Sequence, residues 1–117
     1  MDQAELWCRS RGYSHVDNVS RQRSWDLEAR RRRNSSRVLY VEAKGTIGSR
    51  AVVEITDAEL THARAHPDDT ALVVVTDIHL DRRSVPPAAT GGTVRSFHPW
   101  KPDPAELTPI RYRWTAP

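Results

Sequence analysis

The sequence is poor in the residues that staple, span or anchor a chain. Its single cysteine, Cys8, leaves no intramolecular disulfide to form and no thiolate cluster for a structural zinc site. A reducing compartment is the expectation, and a cytoplasmic location with it. No apolar run approaches the roughly 20 residues that a membrane-spanning helix needs. The opening Met1-Asp2-Gln3-Ala4-Glu5 also lacks the basic-then-apolar layout of a secretory leader. Lysine is nearly absent: of 18 basic residues, only Lys44 and Lys101 are not arginine. Against that background, a lysine inside a polar cluster is conspicuous.

What remains is 117 residues with 38% hydrophobic and 28% charged side chains, enough for one small soluble domain and too few for a second core. The net charge is a modest +3. Arginine presents a planar fork suited to phosphate oxygens, so an Arg-rich surface permits a nucleic-acid partner. A biased genomic composition produces the same enrichment.

Periodicity divides the chain. Asp2 is placed to cap a helix running to about Arg11, with Ala4, Leu6, Trp7 and Cys8 as apolar contacts and Gly12 as a stop. Tyr13, Val16 and Val19 suit an extended segment. In Ser24–Ala29 the apolar Trp25, Leu27 and Ala29 alternate with Ser24, Asp26 and Glu28, the pattern of a half-buried strand. Val38–Lys44 repeats it, with Leu39, Val41 and Ala43 alternating with Tyr40, Glu42 and Lys44. The intervening Arg30-Arg31-Arg32-Arg33-Asn34-Ser35-Ser36-Arg37 is turn-forming and charged. A hairpin closing symmetrically about Asn34 places Asp26 opposite Glu42. Trp25, Leu27 and Ala29 then share the core face with Ala43, Val41 and Leu39, while Asp26, Glu42 and Lys44 gather on the other.

Beyond Gly45, the segment Ala51–Ile55 reads as another strand, and Thr56 with Glu59 forms a capping box for a helix to about Ala65. Ala71–Val75 is a continuous β-branched run that reads as a central strand buried on both faces. From about residue 78, Pro86-Pro87, Gly91-Gly92, Pro99, Pro102 and Pro104 predict an irregular Pro-rich segment, with short edge strands at Thr93–Phe97 and Ile110–Trp114. The fold class expected is α+β (α/β), a single domain over 1–117 with a mixed sheet.

Two carboxylates and an ammonium on one strand face are costly unless they pair or hold a ligand, and a divalent cation resolves the conflict. Asp26 and Glu42 offer hard oxygen ligands and the Ala43 carbonyl a third, leaving water and a phosphate oxygen to complete the octahedron Mg²⁺ (or Mn²⁺) prefers. Lys44 is then placed to orient an attacking water and stabilise charge on the phosphate. The same Glu-x-Lys spacing is also common in exposed strands, where a cross-strand pair contributes only ~0.2–1 kcal/mol. What favours the chemical reading is the combination with Trp25-Asp26-Leu27 upstream and Lys44-Gly45-Thr46 downstream.

The run from Gly12-Tyr13 through Val16-Asp17-Asn18-Val19-Ser20, Trp25-Asp26-Leu27, Tyr40-Val41-Glu42-Ala43-Lys44-Gly45-Thr46, Ile55-Thr56-Asp57-Ala58-Glu59 and Leu72-Val73-Val74-Val75 resembles the protein NO VEIN C-terminal-like domain family over about residues 5 to 77. That family is assigned to the PD-(D/E)xK nuclease superfamily. The resemblance implies a restriction-endonuclease-like αβββαβ core with a mixed central sheet flanked by helices, and Asp26, Glu42 and Lys44 at the motif positions. It implies an acid on the first helix in the metal shell, for which Glu5 is the candidate besides Asp2, and it matches Glu59 to an acid on the second helix. Ala43 departs from the valine expected there, a mild change because its carbonyl is the ligand.

The reading that follows is a Mg²⁺-dependent deoxyribonuclease domain in a bacterial restriction or antiviral system, acting on DNA with a partner protein or parent chain that supplies a motor or recognition function. A non-catalytic nucleic-acid-binding or assembly module that keeps the fold is the alternative, and a protein-interaction domain a third. Arg30, Arg31, Arg32 and Arg33 form either a solvated turn or a phosphate contact. His62 and His66, four apart on the second helix, have a metal-compatible spacing without an evident third ligand. Trp100, Tyr112 and Trp114 serve either to stack on bases or to cover a sheet edge.

Overall fold

The computed structural model describes residues 2–85, 88–111 and 113–117, the side chains of residues 2, 88 and 89 excepted. Helix α1 (Asp2–Ser10) leads into a strand–strand–strand unit, β1 (His15–Asn18), β2 (Leu27–Arg30) and β3 (Leu39–Gly45). Helix α2 (Asp57–Ala65) then crosses to β4 (Thr70–Thr76). A two-stranded ribbon of β5 (His79–Asp81) and β6 (Ala88–Thr90) precedes β7 (Thr93–Phe97) and a single 3-10 turn at Pro104–Glu106. The main sheet runs β1-β2-β3-β4-β7. Only β3 and β4 are parallel, as a crossover through α2 requires; the other neighbours are antiparallel. The expected αβββαβ order and mixed sheet are present.

The β2–β3 hairpin closes in the expected register, pairing Leu27 with Val41 and Ala29 with Leu39. Strand alternation sends these four side chains to the face beneath α1, where Ala4, Trp7 and Cys8 meet them together with Ala71 and Val73. Burial of each large apolar side chain contributes roughly 1.5–3 kcal/mol, so this layer anchors the sheet. Cys8 lies at its centre, fully buried, and burial pushes its thiol up to about 11. It is an inert packing residue.

Four expectations are corrected. Residues 51–55 are not a strand, because β3's second edge is taken by β4, leaving this segment to run across the sheet as an irregular link into α2. Trp25 does not share the core face with Leu27 and Ala29: residues 23–26 bend before β2 begins, and the indole turns to the α2 side, stacked on His62 at 3.9 Å. The chain beyond residue 78 is not irregular throughout: besides the expected edge strand at Thr93–Phe97, which is β7, the strands β5 and β6 lie within it. Residues 110, 111, 113 and 114 form no strand. Tyr112, Pro86-Pro87 and the Asp2 side chain, named above as a stacking group, breakers and a cap, lie outside the described residues. No helix among the described residues is long and apolar enough to cross a membrane.

Candidate active site

The face of β3 opposite α1 carries Tyr40, Glu42 and Lys44, and α2 lies across it. Thr56 begins that helix with both capping-box bonds present: the Thr56 hydroxyl accepts from the Glu59 N–H at 3.1 Å, and Glu59 Oε1 accepts from the Thr56 N–H at 2.9 Å. This satisfies two amides that helix geometry leaves unpaired. The cap also fixes where the Glu59 carboxylate sits, and Lys44 Nζ donates to both of its oxygens at 2.8 Å. Glu59 therefore ties the start of α2 to β3. Its helix-capping role was legible in the sequence; its bond to Lys44 joins residues fifteen apart and had no local signal.

Glu42 lies in the same layer with 1% of its surface exposed, and neither carboxyl oxygen has a hydrogen-bond donor among the described residues. Burial pushes its carboxyl up to about 9, and the Glu59 and Asp26 carboxylates add to the shift while Lys44 opposes it. Glu59 goes the other way: burial alone would raise it, but the neighbouring Glu42 carboxyl and its bonds with Lys44 and the Thr56 amide hold it below the usual carboxylate range. The pair thus keeps its proton on Glu42 and its charge on Glu59, facing Lys44.

Asp26 approaches from the end of β2. Its N–H donates to the Val41 carbonyl, and its Oδ2 accepts from the Ala43 N–H at 2.8 Å. Because the β2–β3 ladder ends at Leu27, the Ala43 amide has no strand carbonyl to meet, and this side chain supplies the acceptor. The structure therefore brings Asp26, Glu42, Ala43 and Lys44 into one neighbourhood, with Asp26 reaching it from the bend ahead of β2 rather than from a paired strand position opposite Glu42.

Glu5 does not join them. Its carboxylate pairs with Arg9 at 3.1 Å on α1, which covers the other face of the sheet. His62 and His66 pack with Trp25 and Tyr40 in an aromatic cluster, ring centroids 4.6 Å apart. His62 is buried with both ring nitrogens unpartnered among the described residues, and burial together with His66 holds its pKa below the usual histidine value. Of the arginine run, Arg30 pairs with Asp17 and Glu28, and Arg31 donates to the Arg11 carbonyl and lies over Tyr13. Arg32 and Arg33 are exposed.

No group of three His, Cys, Asp or Glu side chains that could hold a metal is found among the described residues. A cation here would draw on two carboxylates and a main-chain carbonyl, and the orphaned Glu42 carboxyl suits it: a buried acid without a donor is what a missing positive charge would explain.

The family described as Protein NO VEIN, C-terminal, matches the chain over residues 7–86. The chain belongs to that family. The match runs from α1 to beyond β5 and so takes in Asp26, Glu42, Lys44 and Glu59 together with the sheet that positions them. No curated protein and no solved structure matches the chain.

Proposed function

We propose that this NO VEIN C-terminal domain is a Mg²⁺-dependent nuclease of the PD-(D/E)xK superfamily that hydrolyses phosphodiester bonds in DNA. Its αβββαβ order and mixed sheet are compatible with a restriction-endonuclease-like core. The observation that carries the reading is the Glu42 carboxyl: buried, without a donor, and beside Asp26 and Lys44. Asp26 and Glu42 would hold Mg²⁺ or Mn²⁺ with the Ala43 carbonyl. When bound, such an ion polarises a phosphoryl oxygen and lowers the pKa of a water molecule. Lys44 spends two donors on Glu59 and has a third with which to orient water or meet a phosphate oxygen. Asp26 is already held in place by the Ala43 amide, so it needs little reorganisation.

A partner protein or parent chain supplying motor or recognition function, as in a bacterial restriction or antiviral system, belongs to the proposal, and Arg32 and Arg33 are the exposed members of the arginine run free to rest against phosphates.

Incubation with supercoiled plasmid DNA and Mg²⁺ or Mn²⁺ tests the reading. Cleavage is expected to fall at least ~10²-fold in Glu42→Ala and in Lys44→Ala. Full activity in Glu42→Ala would remove the assignment.

A second reading, a nucleic-acid-binding or assembly module that hydrolyses nothing, is favoured by the closed Lys44–Glu59 pair and the near-complete burial of Glu42. It predicts salt-sensitive DNA binding, no cleavage with any divalent cation, and indifference to Lys44→Ala.

A further inference from the structure

The outer half of the same sheet face is not covered by α2. There, Leu72 and Val74 of β4 form the floor of an open groove of about 630 Å³, walled by the 49–55 link on one side and the segment after β7 on the other. Its lining is largely aliphatic, with cations and aromatic rings set into it. Arg50, Arg95 and Lys101 supply three cations, and Phe97 and Trp100 supply ring surface. Arg50 and Arg95 are exposed and pair with no carboxylate among the described residues. The lone acid in the lining, Glu106, accepts a hydrogen bond from the Asp103 amide at the 3-10 turn. Lys101 meets Asp68 at 3.2 Å in a solvent-exposed pair that contributes little and yields readily to a competing anion.

The groove also has a fixed relation to the candidate active site. Across the sheet, Glu42, Leu72 and Phe97 form one row, and Lys44, Val74 and Arg95 form the next. Members of a row share a face, so Arg95 stands two strands from Lys44, about 10 Å away. That is within the reach of one or two nucleotides.

We propose that this groove is a track for single-stranded DNA, with Arg50, Arg95 and Lys101 on phosphates and Phe97 and Trp100 stacked on bases. In deepening the nuclease reading, the inference rests on it for one point only, that the bound strand is delivered to Glu42 and Lys44. The charge pattern selects a polyanion. The rings select a single strand, because a duplex hides its base faces inside the stack whereas an open strand offers each of them to an aromatic wall.

Fluorescence anisotropy with a short labelled oligothymidine, in EDTA so that nothing is cut, tests the groove without activity. The strand is expected to bind more tightly than a duplex of equal length and to lose roughly 20-fold in affinity between about 50 and 200 mM salt, as three phosphate contacts require. Arg50→Ala with Arg95→Ala, both at exposed positions, should weaken binding about tenfold and flatten the salt dependence. Trp100→Leu should remove the base-induced quench of tryptophan fluorescence. Unchanged binding in the double arginine variant, preference for the duplex, or no binding at all overturns the groove. An oligouridine that competes better than oligothymidine overturns the choice of DNA. Groove-dependent binding without cleavage under any divalent cation leaves the track standing and removes the nuclease reading. Cleavage that persists when the groove is neutralised removes the track alone.

Discussion

A carboxyl sealed beneath a helix with no donor to meet it is a cost the fold carries, and Glu42 makes that cost measurable. Its pKa is raised from 4.5 to about 9. A raised folded-state pKa means that the folded chain retains a proton which the unfolded chain releases. The associated stability is therefore fully present below the ordinary carboxylate range and is lost as pH climbs through about 9. Glu42→Gln, which mimics the protonated form, should flatten that alkaline decline. The difference between native and variant chains in urea unfolding at pH 9 against pH 5 is expected to be at least about 1.4 kcal/mol, the equivalent of a single pKa unit. Equal pH profiles for the two proteins would mean that Glu42 is solvated and ionised in the native state. The residue itself was legible in the sequence through its place on the polar side of an alternating strand. Its burial was not, because alternation tells which face a side chain occupies but not what covers that face.

At the scale of elements, the second helix is where sequence and structure meet most closely. Thr56 and Glu59 declared the capping box, and both of its bonds are present. Glu59 carries two duties that substitution can separate. Glu59→Gln retains an acceptor for the Thr56 amide but gives up the charge facing Lys44, whereas Glu59→Ala loses both. Loss of a cap costs about 1 kcal/mol, so the alanine variant should unfold at lower urea than the glutamine variant by roughly that amount. If the two variants unfold together, the cap is not where the stabilisation lies.

The hairpin register was legible for a similar reason: two alternating strands and a turn rich in Asn and Ser admit one pairing that buries Leu27, Ala29, Leu39 and Val41 together. Trp25 went astray because alternation holds only inside a strand, and β2 starts at Leu27. Ala51–Ile55 went astray because apolar content does not show whether a sheet edge is available.

On the scale of the whole molecule, one face of the sheet holds two groups that answer pH in opposite senses. Under α1 the layer is apolar. Under α2 it holds an acid with a raised pKa and, in His62, a base with a lowered one. For a depressed base the sign reverses: stability is present above the unfolded histidine pKa and is lost as pH falls through the folded value. Together these groups predict maximal stability in mildly acidic to neutral solution, with Glu42 eroding it above and His62 below. His62→Phe preserves a ring to stack on Trp25 and removes two unpartnered nitrogens. It should raise the thermal midpoint at pH 5 more than at pH 8. A midpoint gain independent of pH would assign the effect to packing alone.

The Asp26 carboxylate stands in for a strand carbonyl by accepting the Ala43 N–H, and that substitution makes the amide a gauge. Most protected amides in a sheet report on the opening of whole strands; this one reports on where a single side chain spends its lone pairs. Hydrogen exchange at Ala43 should therefore quicken in Asp26→Ala while the Val41 and Leu39 amides keep their protection. In the native chain it should respond to added Mg²⁺ if the ion draws on Asp26, and stay constant if it does not, giving a readout of occupancy at the backbone that requires no substrate and no turnover.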